Sequence, residues 1–130
     1  MVVKLIYLAG PINGKTDEEC RAWREQMRTR FAKKNIMTVS PLWNDYRGVE
    51  LENAEKLVNK DKDWIMTCDT LVAFCEEPSF GTAMEIYFAW TLHKQIIVVS
   101  SRESPWLHYH ADVVVDKLDK VLDLVESPKL

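Results

Sequence analysis

The chain has 130 residues, of which 47% are hydrophobic, and a formal net charge of −3 at pH 7. This length and composition fit one domain, spanning residues 1–130, with a substantial core. The negative charge gives no support to binding of a nucleic-acid backbone. No apolar run approaches the roughly 20 residues that a membrane-spanning helix needs, so neither a nucleic acid nor a membrane is expected as a partner.

The start of the chain and its cysteines favour a cytoplasmic protein. The chain enters a strand-like pattern at once, without the charged start, apolar stretch and cleavage site of a signal peptide. Cys20, Cys68 and Cys75 are odd in number and show no CxxC spacing, which predicts reduced thiols rather than a disulfide or metal role. His108 and His110 form a close pair but do not complete a zinc site. We therefore expect no bound metal.

Strand-like and helix-like segments alternate along the chain, beginning with a nearly continuous apolar run that predicts a buried strand. Thr16 or Asp17 caps the first predicted helix, and Asn35 ends it. In chain order the predicted elements are a strand at 2–9, a helix at 16–34, a strand at 36–40, a helix at 51–67, a strand at 71–75, a helix at 81–93, strands at 95–100 and 113–115, and a helix at 116–125.

This alternation predicts an α/β fold of the Rossmann-like (flavodoxin-like) kind, with a doubly wound, mainly parallel sheet of about five strands. Ligands of such sheets bind beyond the carboxyl ends of the strands. The loops at 10–15, 41–48 and 76–81 occupy that position, and the predicted helix at 81–93 begins beside them. We expect the functional site at this edge of the sheet.

Glu85 is the most informative residue of the chain. No lysine or arginine lies three or four positions from it, so its own helix offers no partner for its charge. A carboxylate in an apolar helix stripe must be compensated from elsewhere, because burying a bare charge is costly. Its helical neighbours are Gly81, Thr82, Phe88, Ala89 and Leu92. Its place near a helix start and a strand end makes it a candidate for chemistry.

Two loops contain glycines that let backbone approach a ligand. Gly10 and Gly14 bracket the first turn, and the helix that follows offers free N–H groups to an anion; an ordinary strand-to-helix turn is the alternative. Ser79, Gly81 and Thr82 begin a helix in a way that suits a phosphate or a sugar hydroxyl, and plain N-capping is the alternative. Neither GxGxxG nor GxxxxGK[ST] occurs, so the dinucleotide and P-loop fingerprints are absent.

Four segments together resemble the nucleoside 2-deoxyribosyltransferase superfamily, which includes base-exchanging transferases and deoxynucleoside 5′-monophosphate N-glycosidases. The similarity covers most of the chain, and the order and spacing of the segments carry it. The segments are 6–11 (IYLAGP), 41–48 (PLWNDYRG), Asp61 with Ile65 and Asp69, and 79–85 (SFGTAME) with Ile86 and Ala89.

The resemblance implies glycosyl transfer without a metal or organic cofactor. Glu85 matches the family nucleophile, which attacks C1′ of the sugar and forms a covalent glycosyl-enzyme. The chemistry agrees, because cleaving an N-glycosidic bond generates positive charge that a carboxylate stabilises or captures. Tyr7 matches the tyrosine that orients the nucleophile, with a core aromatic as the alternative. Asp61 matches the aspartate that helps protonate the leaving base, with a solvated charge run at 60–63 as the alternative.

The resemblance also assigns the base-side loop. Trp43 is placed to stack on the base, and simple loop packing is the alternative. Asp45 stands where some transferases have a base-reading glutamine, which favours an exocyclic amine of cytosine or adenine. Asp69 is expected to serve structure as a polar residue at a strand entrance.

Position 79 favours a 5′-monophosphate substrate. The transferases carry an aspartate six residues before the nucleophile, whereas the monophosphate hydrolases carry a serine, as Ser79 does here. An aspartate would repel a phosphate, and a serine at a helix N-terminus would bind one. The first loop departs from the hydrolases, with Pro11 and Asn13 in place of serine and arginine. Asn13 is expected to contact the substrate, and Lys15 to supply the positive charge.

The family shares active sites between subunits, which implies a homodimer or higher homo-oligomer in which Asp112 lies near a neighbour's substrate. Three functions stay open: hydrolysis of a (2′-deoxy)nucleoside 5′-monophosphate, base exchange between deoxynucleosides, and a nucleotide-binding module without turnover. Cytokinin-activating phosphoribohydrolases share a Gly-Thr-x-x-Glu pattern like residues 81–85, but their longer glycine-rich loop is missing here.

Overall fold

A computed structural model describes residues 1–12, 15–40 and 48–128. No helix within these ranges is both long enough and apolar enough to span a membrane. The described residues form five strands and five helices. In chain order these are β1 (Leu5–Ala9), α1 (Asp17–Ala32), β2 (Met37–Val39), α2 (Ala54–Thr67), β3 (Thr70–Phe74), α3 (Phe80–Thr91), β4 (Gln95–Val99), α4 (Pro105–His110), β5 (Val113–Val115) and α5 (Leu118–Leu124).

The five described strands are all parallel and lie in the order β2-β1-β3-β4-β5. This is the flavodoxin-like order, in which the direction of winding changes between β1 and β3. The predicted doubly wound α/β fold is therefore confirmed. Ala9, the last residue of β1, pairs with Ala73 near the end of β3. The carboxyl ends of the two strands thus meet at the crevice where ligands bind in such folds.

The sheet is covered on both faces, as expected for strands that are nearly continuous apolar runs. On one face, α1 and α5 share a core with Ile6 and Leu8 of β1. On the other face, Ile65 of α2 and Ile86 of α3 pack with Tyr7. Because successive side chains of a strand point to opposite faces, Tyr7 is directed toward the face that α3 covers.

Local signals explain where α1 begins and ends. Thr16 is the N-cap: its hydroxyl accepts from the N–H of Glu19, and the Glu19 carboxylate accepts from the N–H of Thr16. Asn35 follows the helix with a φ of 62°, a left-handed conformation that asparagine tolerates better than most residues. The capping and stop signals in the sequence thus correspond to real features.

Several predicted boundaries are wrong. β1 begins at Leu5 rather than at residue 2, because Val2 makes only an isolated bridge to Glu126. α2 begins at Ala54 and α5 at Leu118, each a few residues later than expected.

The short helix α4 was not predicted at all. It has only six residues, too few for a helical periodicity to stand out. Its start does carry a signal, since the Ser104 side chain accepts from the N–H of Leu107 and Pro105 occupies the first turn.

Candidate active site

Glu85 lies in the second turn of α3, and its side chain meets Tyr7. The Tyr7 hydroxyl donates a hydrogen bond to Oε2 of Glu85. Tyr7 is fully buried in β1, and Glu85 is partly buried. A strand residue 78 positions earlier in the chain therefore provides the polar partner that α3 itself lacks.

The surroundings of this pair disfavour negative charge. Burial raises the pKa of Glu85 to about 8, although the hydrogen bond from Tyr7 opposes the rise. The carboxylate of Asp61 raises the pKa of Glu85 further, and the guanidinium of Arg24 lowers it. Burial also raises the pKa of Tyr7, as does the charge of Glu85, so the phenol stays protonated and donates. A carboxylate poised in this way is typical of functional sites.

Asp61 lies on the inner side of α2, facing the same pair. It is 6% exposed, whereas the other residues of 60–63 are exposed. The charged segment 60–63 is therefore exposed to solvent except at Asp61. Negative charge on Asp61 acts on both Tyr7 and Glu85. The structure thus brings together the three residues that the resemblance marks as catalytic.

Glu85 forms part of the wall of two cavities. The larger one measures about 760 Å³ and opens at the carboxyl edge of the sheet; its lining includes Gly10, Arg24, Ser79, Thr82 and Arg102. The smaller one measures about 550 Å³ and lies beside α2, α3 and α4; its lining includes Asp61, Ile65, Phe88, Trp106 and His110. Both volumes fall in the range of roughly 300–1,000 Å³ that is usual for small-molecule sites.

The first turn packs tightly at Gly10. A Cβ added there would lie 2.7 Å from Cζ2 of Trp23 and 3.3 Å from Nη2 of Arg24. Glycine is thus required by the close approach of α1, whether or not a ligand also binds there. Asn13 and Gly14 lie outside the described residues.

Lys15 is paired with an acidic residue that lines the larger cavity. Its Nζ forms an ion pair with Glu77 at 2.6 Å, and Lys15 is not part of the cavity lining. Arg102 does line that cavity, and its Nε donates to the backbone carbonyl of Glu76. The role expected of Lys15 stays a proposal, because its ammonium group pairs with a carboxylate that belongs to the cavity lining.

The start of α3 shows the N-capping that the sequence predicts. Ser79 caps the helix, since its hydroxyl accepts from the N–H of Thr82 at 3.3 Å and from the Thr82 hydroxyl at 3.1 Å. Gly81 is exposed, and a Cβ added there would meet nothing within 4 Å. Packing within the chain does not demand a glycine at 81, so its small size leaves room in the cavity that it lines.

Two aspartates lie at the amino ends of strands and tie strands together. Asp69 accepts from the N–H groups of Lys4 and Leu5 at 2.9 and 3.1 Å, which fits the structural role expected of it. Asp112 accepts from the N–H of Ile96 at 2.7 Å and lines neither cavity of its own chain. Trp43 and Asp45 lie outside the described residues.

The sequence reasoning missed a surface that we call the aromatic patch. It consists of Tyr87 and Trp90 of α3 with Trp106, Tyr109 and His110 of α4. His110 stacks on Trp106, and Trp106 and Tyr109 are 75% and 72% exposed. The spacing of Tyr87 and Trp90 by one helical turn was a visible signal on α3, but α4 itself was not predicted.

The arrangement suits carboxylate chemistry. Within the described ranges no group of three His, Cys, Asp or Glu residues is placed to hold a metal ion. A buried carboxylate with a phenol donor, beside a second carboxylate and two cavities, suits reaction at an anomeric carbon.

Comparison with known proteins defines the family. The family model described as nucleoside 2-deoxyribosyltransferase matches residues 6–125. The structure of a 2-deoxyribosyltransferase from Leishmania mexicana is similar with a TM-score of 0.63 and 28% identity, covering 82% of this chain and 70% of that one. The comparison with curated proteins gave no match.

Two further structures share the fold. A 2-deoxyribosyltransferase from Bacillus psychrosaccharolyticus has a TM-score of 0.72 and 19% identity, covering 97% of this chain and 99% of that one. A CMP N-glycosidase from Clostridium botulinum has a TM-score of 0.60 and 23% identity, covering 93% of this chain and 97% of that one.

The chain belongs to the nucleoside 2-deoxyribosyltransferase family, as the match over most of its length establishes. It is accordingly an enzyme that acts on the glycosidic bond of nucleosides or nucleotides.

Proposed function

We propose that the protein cleaves the N-glycosidic bond of a (2′-deoxy)nucleoside 5′-monophosphate and releases free base and sugar phosphate. The observation that carries this proposal is the position of Glu85, which contacts Tyr7 and lies on the wall between the two cavities. A substrate with its sugar at Glu85 has space for a phosphate in one direction and for a base in the other.

The reaction runs through a covalent intermediate. A carboxylate oxygen of Glu85 attacks C1′, and the bond from C1′ to the base nitrogen breaks. The electron pair leaves on the base, which takes a proton from the acid form of Asp61. Water then attacks C1′ and returns a proton to Asp61, and the ester bond to Glu85 breaks. The sugar phosphate leaves with a hydroxyl at C1′.

Tyr7 orients the nucleophile in this scheme. Its hydroxyl donates a hydrogen bond to Glu85. The hydroxyl can donate both to the free carboxylate and to the glycosyl ester, because each of them has an acceptor oxygen. Full burial of Tyr7 fixes the direction from which the hydrogen bond comes. Attack on C1′ then comes from the side of the carboxylate that Tyr7 does not contact.

The larger cavity is the proposed place for the 5′-phosphate. Ser79 and the backbone at Gly81 line it at the start of α3, where helix N–H groups favour an anion. Arg102 lines the same cavity, and Lys15 pairs with Glu77 of its lining, so both are proposed as cations near the phosphate. Gly10 is proposed to let the backbone of the first turn approach the substrate. Asn13 is proposed as a further contact to the substrate. Trp43 and Asp45 are proposed to contact the base.

Base exchange between deoxynucleosides is the second candidate, because the family and its relative from Leishmania mexicana are named for transfer. The two candidates are separated by incubating the protein with deoxynucleosides and their 5′-monophosphates, with and without a second base. We expect base release from a monophosphate without an acceptor. A product that forms only when a second base is present would instead establish transfer.

Glu85→Gln and Asp61→Asn test the assigned roles in the same assay. Glu85→Gln should abolish turnover because the amide cannot act as the nucleophile. Asp61→Asn should slow base release by about 10²- to 10⁴-fold, the usual contribution of a general acid. Glu55→Gln and Asp63→Asn, at exposed positions of α2, are the matched controls and should retain activity. Full turnover by Glu85→Gln would refute the mechanism.

We also propose that the protein is a homodimer with shared active sites. Support comes from the aromatic patch, an exposed apolar surface that borders the smaller cavity through Trp106 and His110. Burying this patch against a second copy would also enclose that cavity. Asp112 lies two residues beyond His110 and is the proposed contribution to the partner's site.

A further inference from the structure

Arg24 is a buried arginine within the apolar stripe of α1. The buried positions of that helix are Cys20, Arg24, Met27 and Phe31, and Arg24 is only 1% exposed. Placing a cation among such neighbours costs free energy unless nearby groups compensate for the lost water. Its burial therefore calls for an explanation.

The guanidinium is held in place by two backbone carbonyls. Nη1 donates to the carbonyl of Cys20 at 2.8 Å, and Nη2 donates to the carbonyl of Gly10 at 3.1 Å. The guanidinium carbon lies 4.5 Å from the centre of the Trp23 ring. These contacts fix the group beside the first turn, in the wall of the larger cavity.

The hydrogen bonds leave the charge itself without a contacting counter-ion. Among the described residues, no carboxylate forms an ion pair with Arg24, and its buried Nε has no partner. Glu85 is among the groups that act on it electrostatically. The cation lies in the wall of the cavity that the proposed nucleophile also lines.

We infer that Arg24 is a positioning residue that anchors the Gly10 turn and, through its charge, favours the ionised form of Glu85 that attacks the sugar. Among the described residues, Arg24 forms neither a hydrogen bond nor an ion pair with Glu85. It therefore acts through the pair that Glu85 forms with Tyr7. The inference deepens the proposed function, and its catalytic meaning rests on that function.

The charged groups around Glu85 come from several elements. Tyr7 of β1 donates to it, Asp61 of α2 opposes its ionisation, and Arg24 of α1 favours it. Burial raises the pKa of the Cys75 thiol at the end of β3 to about 12, so this group stays neutral. The remaining charged or titratable residues that line the two cavities with Glu85 are Glu77, Arg102, Glu103, Lys62, Tyr87 and His110. Of these groups, Arg24 is the cation that lowers the pKa of Glu85.

The test compares Arg24→Met, Arg24→Lys and a control, Arg28→Met. Met keeps much of the bulk and removes the charge, whereas Lys keeps the charge. Arg28 is an exposed residue of the same helix that pairs with Glu25. For each folded variant we would measure the titration of Glu85 by the ¹³C chemical shift of its carboxyl carbon. The acidic limb of the single-turnover pH profile provides the second readout.

We expect Glu85 to titrate at higher pH in Arg24→Met than in the wild type. The activity of this variant at neutral pH should fall about tenfold for each unit by which the pKa of Glu85 rises. In Arg24→Lys and in Arg28→Met, Glu85 should titrate near its wild-type pKa. If Arg24→Met does not fold, Arg24→Gln, which keeps a donor for the Gly10 carbonyl, replaces it with the same expectation.

An unmoved Glu85 titration in the folded uncharged variant would overturn the inference. Equal displacement in Arg24→Lys would also overturn it, because the effect would then come from packing rather than charge. The chemical-shift readout needs no substrate. A displaced titration in a protein without turnover would therefore reject the proposed function and leave the electrostatic role standing.

Discussion

The proposed chemistry concentrates on the Glu85 carboxylate, and the groups that act on its charge come from other elements. Tyr7 comes from β1, Asp61 from α2 and Arg24 from α1. The sequence revealed that α3 lacks a cation near Glu85, and the resemblance named Tyr7 and Asp61. Nothing in the pattern named Arg24, because an arginine in a highly charged helix is usually a surface residue.

The pH dependence follows from the environment of Glu85. Burial raises its pKa to about 8, so at neutral pH most of the enzyme carries the protonated, non-nucleophilic acid. The rate of the first step should rise with pH and level off above about 8, changing about tenfold per unit below that value. Single-turnover base release across this range measures it. A limb near the ordinary glutamate pKa of about 4.3 would contradict the assignment.

Tyr7→Phe isolates the contribution of the phenol. The substitution removes the donor to Glu85 and leaves an aromatic ring in the core. A hydrogen bond to a charged group contributes about 1.5–3 kcal/mol, so the first step should slow by about 10- to 100-fold. The acidic limb should also move to higher pH, because the hydrogen bond lowers the pKa of Glu85. Unchanged rates in a folded variant would remove Tyr7 from the mechanism.

At the scale of elements, the strands were predictable and the short pieces were not. Buried parallel strands appear as continuous apolar runs, and the capping signals at Thr16 and Asn35 could be read directly. α4 was missed because six residues provide no periodicity, and with it the part of the aromatic patch that Trp106 and Tyr109 form. The pairing of Lys15 with Glu77 was not predicted, because it joins two loops that are distant in sequence.

Two glycines that both line the larger cavity should respond in opposite ways to alanine. At Gly10 the new Cβ would press on the rigid ring of Trp23, so Gly10→Ala should destabilise the fold by about 1–3 kcal/mol. At Gly81 the Cβ meets open space within a helix, so Gly81→Ala should stabilise it by roughly 0.5–1 kcal/mol. Thermal or urea unfolding of both variants is the measurement. Equal effects would show that the first turn is looser than described.

At the scale of the whole molecule, the exposed aromatic patch is the surface proposed for contact with a second copy of the chain. Trp106 and Tyr109 are largely exposed, and Trp106 borders the smaller cavity. A second copy that covers the patch would exclude water from the side of Glu85 opposite the larger cavity. The sequence contained these aromatics, but their convergence on one face depends on the packing of α3 against α4.

Trp106→Glu should therefore shift the protein from dimer to monomer and reduce turnover with it. A charge placed in an apolar interface leaves an unpaired ion on association, which disfavours the dimer. Sedimentation velocity over a range of concentrations measures the assembly. Met37→Glu, at an exposed position on the sheet edge, is the control and should stay dimeric. A wild-type protein that remains monomeric at all concentrations would reject the shared site.

The central claim is a covalent bond between Glu85 and the anomeric carbon of the substrate. The direct measurement is mass spectrometry of enzyme that has been mixed with a deoxynucleoside 5′-monophosphate and quenched in acid during the first turnover. We predict a mass increase equal to the deoxyribosyl phosphate, located by peptide mapping at Glu85 and absent from Glu85→Gln. Adduct on another residue, or base release with no adduct at any time point, would contradict the account.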